Sequence, residues 1–246
     1  MMVTRRSLLA IGLGAATAGA GLAQKARGGD SLLRVRPHQP TASVAAGEHA
    51  LDLGGTRDGL LIVPEQYRPA SAAPLALMLH GAGGYARRLA SLLSIANSFG
   101  VLLLVPESRA STWDAIRGGF GPDVGFIDRA LDQTFTRCAV DPGKLAIGGF
   151  SDGATYALSL GLDNGSLFTH VMAFSPGFIA ARRPSGKPRI FVSHGRSDTI
   201  LPIDVTSRRI VPGLEDAGYP VTYQEFDGPH TVPRGIAHDA FKWFAR

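Results

Sequence analysis

At 246 residues, 45% hydrophobic and 18% charged, the chain is long enough for one domain with a large core and too apolar to stay disordered. A single cysteine, Cys138, excludes an internal disulfide framework, and the 31 glycines follow no collagen-like period. The formal charge of +5 includes no basic run interleaved with aromatics, which argues against nucleic-acid binding, and loss of a leader carrying Arg5 and Arg6 would lower it by two.

Thr4-Arg5-Arg6-Ser7-Leu8-Leu9 is followed by an apolar, Gly/Ala-rich run to about Ala20. A positive stretch, a short apolar stretch and small residues before a break make a secretory leader. The paired arginines resemble a twin-arginine signal, with Leu8 where that pattern has Phe and Ala10 where it has Lys. The expected partner is the twin-arginine export machinery, and the expected location is periplasmic or secreted. Ala18-x-Ala20 or Gly21-x-Ala23 could be cut, so residues 1–23 read as a signal peptide. The run falls short of the roughly 20 residues a membrane span needs, and no later stretch is long and apolar enough to cross a bilayer. Residues 24–47 are polar, contain proline and follow no period, and read as a flexible N-terminal arm; residues 48–246 make up the domain.

Seven short apolar runs follow. They lie at 60–63, 75–79, 101–105, 145–150, 171–174, 190–193 and 221–226, several of them bounded by Pro or Gly. Such runs predict strands buried on both faces, as in a parallel sheet. Between and after them, helical patterns lie at 87–99, 123–135, 153–162, 203–217 and 236–244. Alternating strand and helix predict an α/β fold with a mostly parallel central sheet and helices on both faces. The connections at 162–170 and 174–183 are too short for a large cap domain. Chemistry in such sheets sits at the carboxyl ends of the strands.

Four motifs fall at those ends. Gly149-Phe150-Ser151-Asp152-Gly153 is a G-x-S-x-G pattern between the 145–150 strand and the 153–162 helix. A Cβ at either glycine would collide with the neighbouring strand and helix, and the turn pushes the Ser151 hydroxyl into the open as a candidate nucleophile. His80-Gly81-Ala82-Gly83-Gly84 follows the 75–79 strand, and its glycines leave backbone N–H groups free to point inward. The N–H groups of Ala82 and Asp152 are the candidate oxyanion donors, a role worth about 3 kcal/mol of barrier per donor. His80 itself reads as a residue that packs and orders its loop.

Ser193-His194-Gly195-Arg196-Ser197-Asp198 follows the 190–193 strand. Asp198 is placed either to orient an imidazole or to cap the helix beginning near 203, with Asp204 as the alternative acid. Asp227-Gly228-Pro229-His230 follows the last strand, and His230 is the candidate general base. His238 and His194 read as structural or surface residues, and His38, His49 and His170 precede strands. Trp113, in the loop after the 101–105 strand, either walls the substrate pocket or packs that loop. Cys138 reads as a packed thiol.

The order Ser151, Asp198, His230 along the chain, each at the end of a successive strand, resembles the α/β-hydrolase superfamily over about 60–244. Within it, HGAGG, GFSDG, HGRSD and DGPH are similar to the compact bacterial phospholipase/carboxylesterase and polyhydroxybutyrate-depolymerase-like esterases. The resemblance implies a Ser151–His230–Asp198 triad, acyl-enzyme chemistry on a small-molecule carboxylic ester, no metal and no organic cofactor. Thioesters, polyesters and peptides are alternative substrates for the same parts. A binding protein of the same fold would typically have lost a triad member, and none is missing here. Asp152 departs from the Gln or Ala often found beside the nucleophile in those groups, and an ionised acid there would repel anionic acyl groups.

Overall fold

The computed structural model describes residues 29–246, so the leader expected at 1–23 lies outside the described residues. Eight strands form one sheet: β1 (Gly47–Ala50), β2 (Gly59–Val63), β3 (Ala73–Leu79), β4 (Leu102–Pro106), β5 (Val140–Phe150), β6 (His170–Phe174), β7 (Arg189–Gly195) and β8 (Val221–Phe226). Their order across the sheet is β1-β2-β4-β3-β5-β6-β7-β8. β2 runs antiparallel to both β1 and β4, and every pairing from β4 to β8 is parallel. Among the described residues five α-helices flank the sheet: α1 (Leu93–Ser98), α2 (Pro122–Arg137), α3 (Asp152–Asp163), α4 (Ser207–Asp216) and α5 (Arg234–Ala245). Among the described residues no helix is long and apolar enough to cross a membrane.

The period of two along β3 divides the core into layers. Leu75, Leu77 and Leu79 join the cluster that holds Phe126 and Phe135 of α2, Leu158 of α3 and Leu214 of α4. Ala76 and Met78 join the opposite cluster, with Ile95 of α1 and Phe241 and Phe244 of α5. Burial on both faces is why the central strands read as unbroken apolar runs.

The structure departs from the sequence expectations in four places. β1 is a four-residue polar edge strand, Gly-Glu-His-Ala, whose exposed residues carry no alternation to read. The helix expected over 87–99 opens as 3-10 turns (Ala86–Leu92) before α1, with the Ala86 N–H held by the Glu107 carboxylate. The helix expected over 203–217 breaks at Thr206, whose φ of −119° and ψ of −103° lie outside the helical region; α4 begins at Ser207.

The fourth departure is the arm read as flexible over 24–47. Its described part, 29–46, has no helix or strand, yet it is pinned along the domain. Leu33 is buried, and its N–H donates to Asn164 Oδ1 at 2.8 Å. The Ser31 hydroxyl donates to Asp163 Oδ2 at 2.6 Å, and the Arg34 and Val35 N–H groups share Asp128 Oδ1. These anchors are side chains of α2 and the C-terminal end of α3, roughly a hundred residues away, so no local pattern announces them.

Candidate active site

Everything at the site is hung from the carboxyl ends of β3, β5, β7 and β8. At the end of β5 the chain turns sharply into α3, and Ser151 at the turn has φ +58° and ψ −121°. That conformation costs a side-chain-bearing residue on the order of 1–3 kcal/mol. The surroundings hold it: the Ser151 N–H donates to the Phe174 carbonyl at 2.9 Å, and its own carbonyl accepts from the Thr155 N–H at 3.0 Å. Gly149 and Gly153 permit the turn by close approach. A Cβ on Gly149 would strike the Leu79 carbonyl oxygen at 2.7 Å, and one on Gly153 the His80 carbonyl oxygen at 2.6 Å.

The three residues expected to converge do so. His230 Nε2 lies 2.8 Å from Ser151 Oγ, and His230 Nδ1 lies 2.5 Å from Asp198 Oδ2. A carboxylate only accepts, so Nδ1 carries the proton and Nε2 is left to accept from the serine hydroxyl. The Asp198 side chain is fully buried, while His230 keeps 14% of its side chain exposed. Burial alone would raise the Asp198 carboxyl. The N–H of Leu201, the His230 ring and the N–H of Ile200 outweigh it and hold the group below the ordinary carboxylate value. Asp198 is not the cap of a helix, because those two N–H groups close a tight turn ahead of the break at Thr206.

The rivals lie elsewhere. Asp204 is exposed and pairs with Arg208 at 2.7 Å; His238 is half exposed and rests on Phe99. His38 and His49 bond carbonyls on the arm side of the molecule. Cys138 is buried, and burial pushes its thiol up to about 11.

The loop after β3 brings Gly81 against Ser151: a Cβ on Gly81 would lie 3.3 Å from Ser151 Cβ. Neighbouring N–H groups are engaged, Gly83 with the Ser111 carbonyl and Gly84 with that of Gly81. Ala82 lies in the turn between them, and Asp152 is the first residue of α3, ahead of the point where a helix's own hydrogen bonds begin. The Asp152 side chain turns aside to accept from the Thr112 hydroxyl at 2.6 Å.

His80 is buried under this loop. Nδ1 donates to the Gly81 carbonyl at 2.7 Å, and Nε2 accepts from the Ser108 N–H at 3.1 Å and from Arg57 Nη2 at 3.2 Å. Burial chiefly lowers its basicity, so the ring is a neutral tie between loops.

Trp113 does not wall the pocket. It is fully buried, donates from Nε1 to the His80 carbonyl at 2.8 Å, and stacks between His80 and Tyr156 at 4.9 and 5.2 Å. Asp114 and Asp123 exchange backbone N–H bonds at 2.7 and 2.8 Å, cinching the loop so that the indole points into the core.

The open space lies on the other side. Met78, Leu89, Phe150, Phe174 and Val232 line a cleft of about 190 Å³. It adjoins one of about 210 Å³ bounded by Gly81, Ala82 and Gly84. Arg88, Leu89 and Phe150 border both. Phe150 also stacks on the His230 ring, centroid to centroid 4.6 Å. Residues 86–92 went unassigned to the site in the sequence because a helical pattern there reads as packing alone. His194 was set aside too, yet its Nε2 stands 3.1 Å from Asp198 Oδ2. Its place four residues before the acid, at the very end of a strand, was the available signal.

No protein-family model matches the chain. It is 32% identical over 143 residues, 53% of its length, to NocK of Nocardia uniformis subsp. tsuyamanensis, a protein named as an esterase. It is 28% identical over 179 residues, 67% of its length, to a protein of Aspergillus clavatus named as feruloyl esterase C. The matches span 42% and 64% of those relatives' own lengths. Among solved structures, an S-formylglutathione hydrolase, FrmB, from Staphylococcus aureus superposes with a TM-score of 0.67 at 15% identity, covering 87% of this chain and all of that one. A likeness at that identity is one of fold, and the fold this chain has is that of the α/β-hydrolases.

Proposed function

We propose that the chain is a serine hydrolase that cleaves carboxylic esters through an acyl-enzyme. The observation that carries this is the unbroken set of contacts from Asp198 through His230 to Ser151, at 2.5 and 2.8 Å. His230 Nε2 takes the proton from Ser151 Oγ as the oxygen attacks the ester carbonyl. The carbonyl oxygen becomes an oxyanion, bound by the N–H groups of Ala82 and Asp152. Asp198 keeps the imidazole in the right tautomer and balances the charge that forms on it. His230 then gives the proton to the departing alkoxide, and a water molecule, deprotonated by the same nitrogen, releases the acid and restores the Ser151 hydroxyl.

The names of the relatives support an ester as the substrate. The modest volume of the paired clefts favours short or medium acyl groups over long lipid chains. A second reading, esters of aromatic acids, is favoured by the rings of Phe150 and Phe174 in the cleft and by the name of the Aspergillus relative.

Fluorophosphonate labelling tests the mechanism: the native protein labels and Ser151→Ala does not. Equal labelling of the two would overturn the nucleophile. His230→Ala lowers kcat by roughly 10³-fold or more, by analogy with other triads; the same loss in His238→Ala instead would reassign the base. A p-nitrophenyl ester series from acetate to laurate, with methyl ferulate alongside, separates the two substrate readings, and a sharp preference for chains of about ten carbons or more would contradict both. The leader supports action outside the cytoplasm after twin-arginine export. Replacing Arg5 and Arg6 with lysines should then leave the chain unprocessed, and unchanged processing would refute that route.

A further inference from the structure

The triad acid has a second histidine. Asp198 Oδ1 accepts from the N–H groups of Ile200 and Leu201 at 2.9 and 2.8 Å, and Oδ2 accepts from His230 Nδ1. On the far side of the same Oδ2, at 3.1 Å, stands His194 Nε2, with both side chains fully buried. Nε2 also faces the Leu201 carbonyl at 2.8 Å. Both neighbours of Nε2 are acceptors, so this nitrogen must carry the proton. Nδ1 then accepts from the Ser207 hydroxyl, 2.7 Å away and itself fully buried. The titratable groups facing His194 are Asp198 and His230, and burial chiefly lowers its basicity. The ring is therefore a neutral donor.

We propose that His194, fixed by Ser207, is a positioning residue for Asp198; this rests on the triad reading given above. The contacts form one line: Ser207 Oγ–H to His194 Nδ1, His194 Nε2–H shared between the Leu201 carbonyl at 2.8 Å and Asp198 Oδ2 at 3.1 Å, Asp198 to His230 Nδ1–H, and His230 Nε2 to Ser151 Oγ–H. The fold makes the line possible twice over. His194 is placed by β7 immediately before the acid loop, and the break at Thr206 starts α4 at Ser207, which turns that hydroxyl onto the ring.

Two consequences follow from elementary charge balance. The His194 proton holds Oδ2 in the direction His230 needs, so its loss disorders the acid and lowers kcat without touching substrate binding. It also draws off part of the carboxylate charge, so its loss leaves Asp198 a stronger acceptor and makes the base harder to deprotonate. The acidic limb of the rate profile then moves to higher pH.

The test uses His194→Gln, which can keep an N–H within reach of Oδ2, His194→Leu, which cannot, and Ser207→Ala. Hydrolysis of p-nitrophenyl butyrate is followed across pH on protein checked for folding by circular dichroism. In His194→Leu we expect kcat to fall about tenfold, a fraction of the worth of a hydrogen bond to a charged group, with KM within about twofold and the acidic limb moved up. His194→Gln restores most of kcat and returns the limb. Ser207→Ala shows a smaller loss and a smaller shift in the same direction, and it carries the test if His194→Leu does not fold. Native kcat and an unmoved limb in the folded variants would overturn the proposal. So would equal losses in the Gln and Leu variants with no movement of the limb, the mark of packing alone. Failure of the triad reading shows separately, as hydrolysis that survives in Ser151→Ala.

Discussion

The same dipeptide, His-Gly, follows β3 directly and ends β7, and the two histidines are buried alike, at 1% and 0% exposure. Their chemistry is opposite. Around His80, Nε2 meets two donors, the Ser108 N–H and the Arg57 guanidinium, so the ring is protonated on Nδ1. Around His194, Nε2 meets two acceptors, the Leu201 carbonyl and Asp198, so the ring is protonated on Nε2. One ring ties the loop after β3 to its neighbours; the other reaches Asp198. The same His-Gly dipeptide near the carboxyl end of two strands is thus assigned its proton, and with it its surroundings, by what the next loops bring up against it.

Variants can break this contrast at graded cost. His80→Ala is expected to cost the most stability, about 3 kcal/mol, from a cavity and two stranded donors. Urea unfolding measures it, and a loss below about 1 kcal/mol would mean the ring is not the tie between the loops.

His170 sharpens the contrast as a buried histidine set beside two basic groups. Burial first, then Arg189 and Lys144, lower it to about 4, and Trp243 and Phe244 meet it edge to face. The unfolded chain takes up a proton below about pH 6.5 that the folded ring refuses, so stability falls as pH drops from there to about 4 and the contribution then levels off. His170→Phe should flatten that part of the stability–pH curve; an unchanged slope would place the acid sensitivity elsewhere.

Trp113→Phe gives the smallest effect. It removes the donor to the His80 carbonyl and should cost about 1–2 kcal/mol with KM within twofold. A large rise in KM would instead return the indole to the substrate pocket.

Much of this was legible beforehand because it is local. Apolar runs between turn residues mark strands wherever both faces are covered, and seven of the eight strands announced themselves in that way. The G-x-S-x-G pattern is legible for a steric reason, since only glycine fits where Gly149 and Gly153 graze the β3 backbone. Trp113 was ambiguous because an aromatic in a loop is equally suited to a pocket wall and to a core. The reciprocal bonds of Asp114 and Asp123 turn it inward. The arm at 29–46 looked unattached because its anchors, Asp128, Asp163 and Asn164, are distant in number.

The sequence by itself determined which residues are candidates for the chemistry and that each stands at a strand end, because strand periodicity, glycine clearance and residue type are properties of short segments. Only the tertiary structure decided which groups meet. That Oδ2 of Asp198 is shared between His230 and His194 depends on the directions in which loops after different strands leave the sheet, and such directions are set by long-range packing and hydrogen bonds that no stretch of ten residues contains.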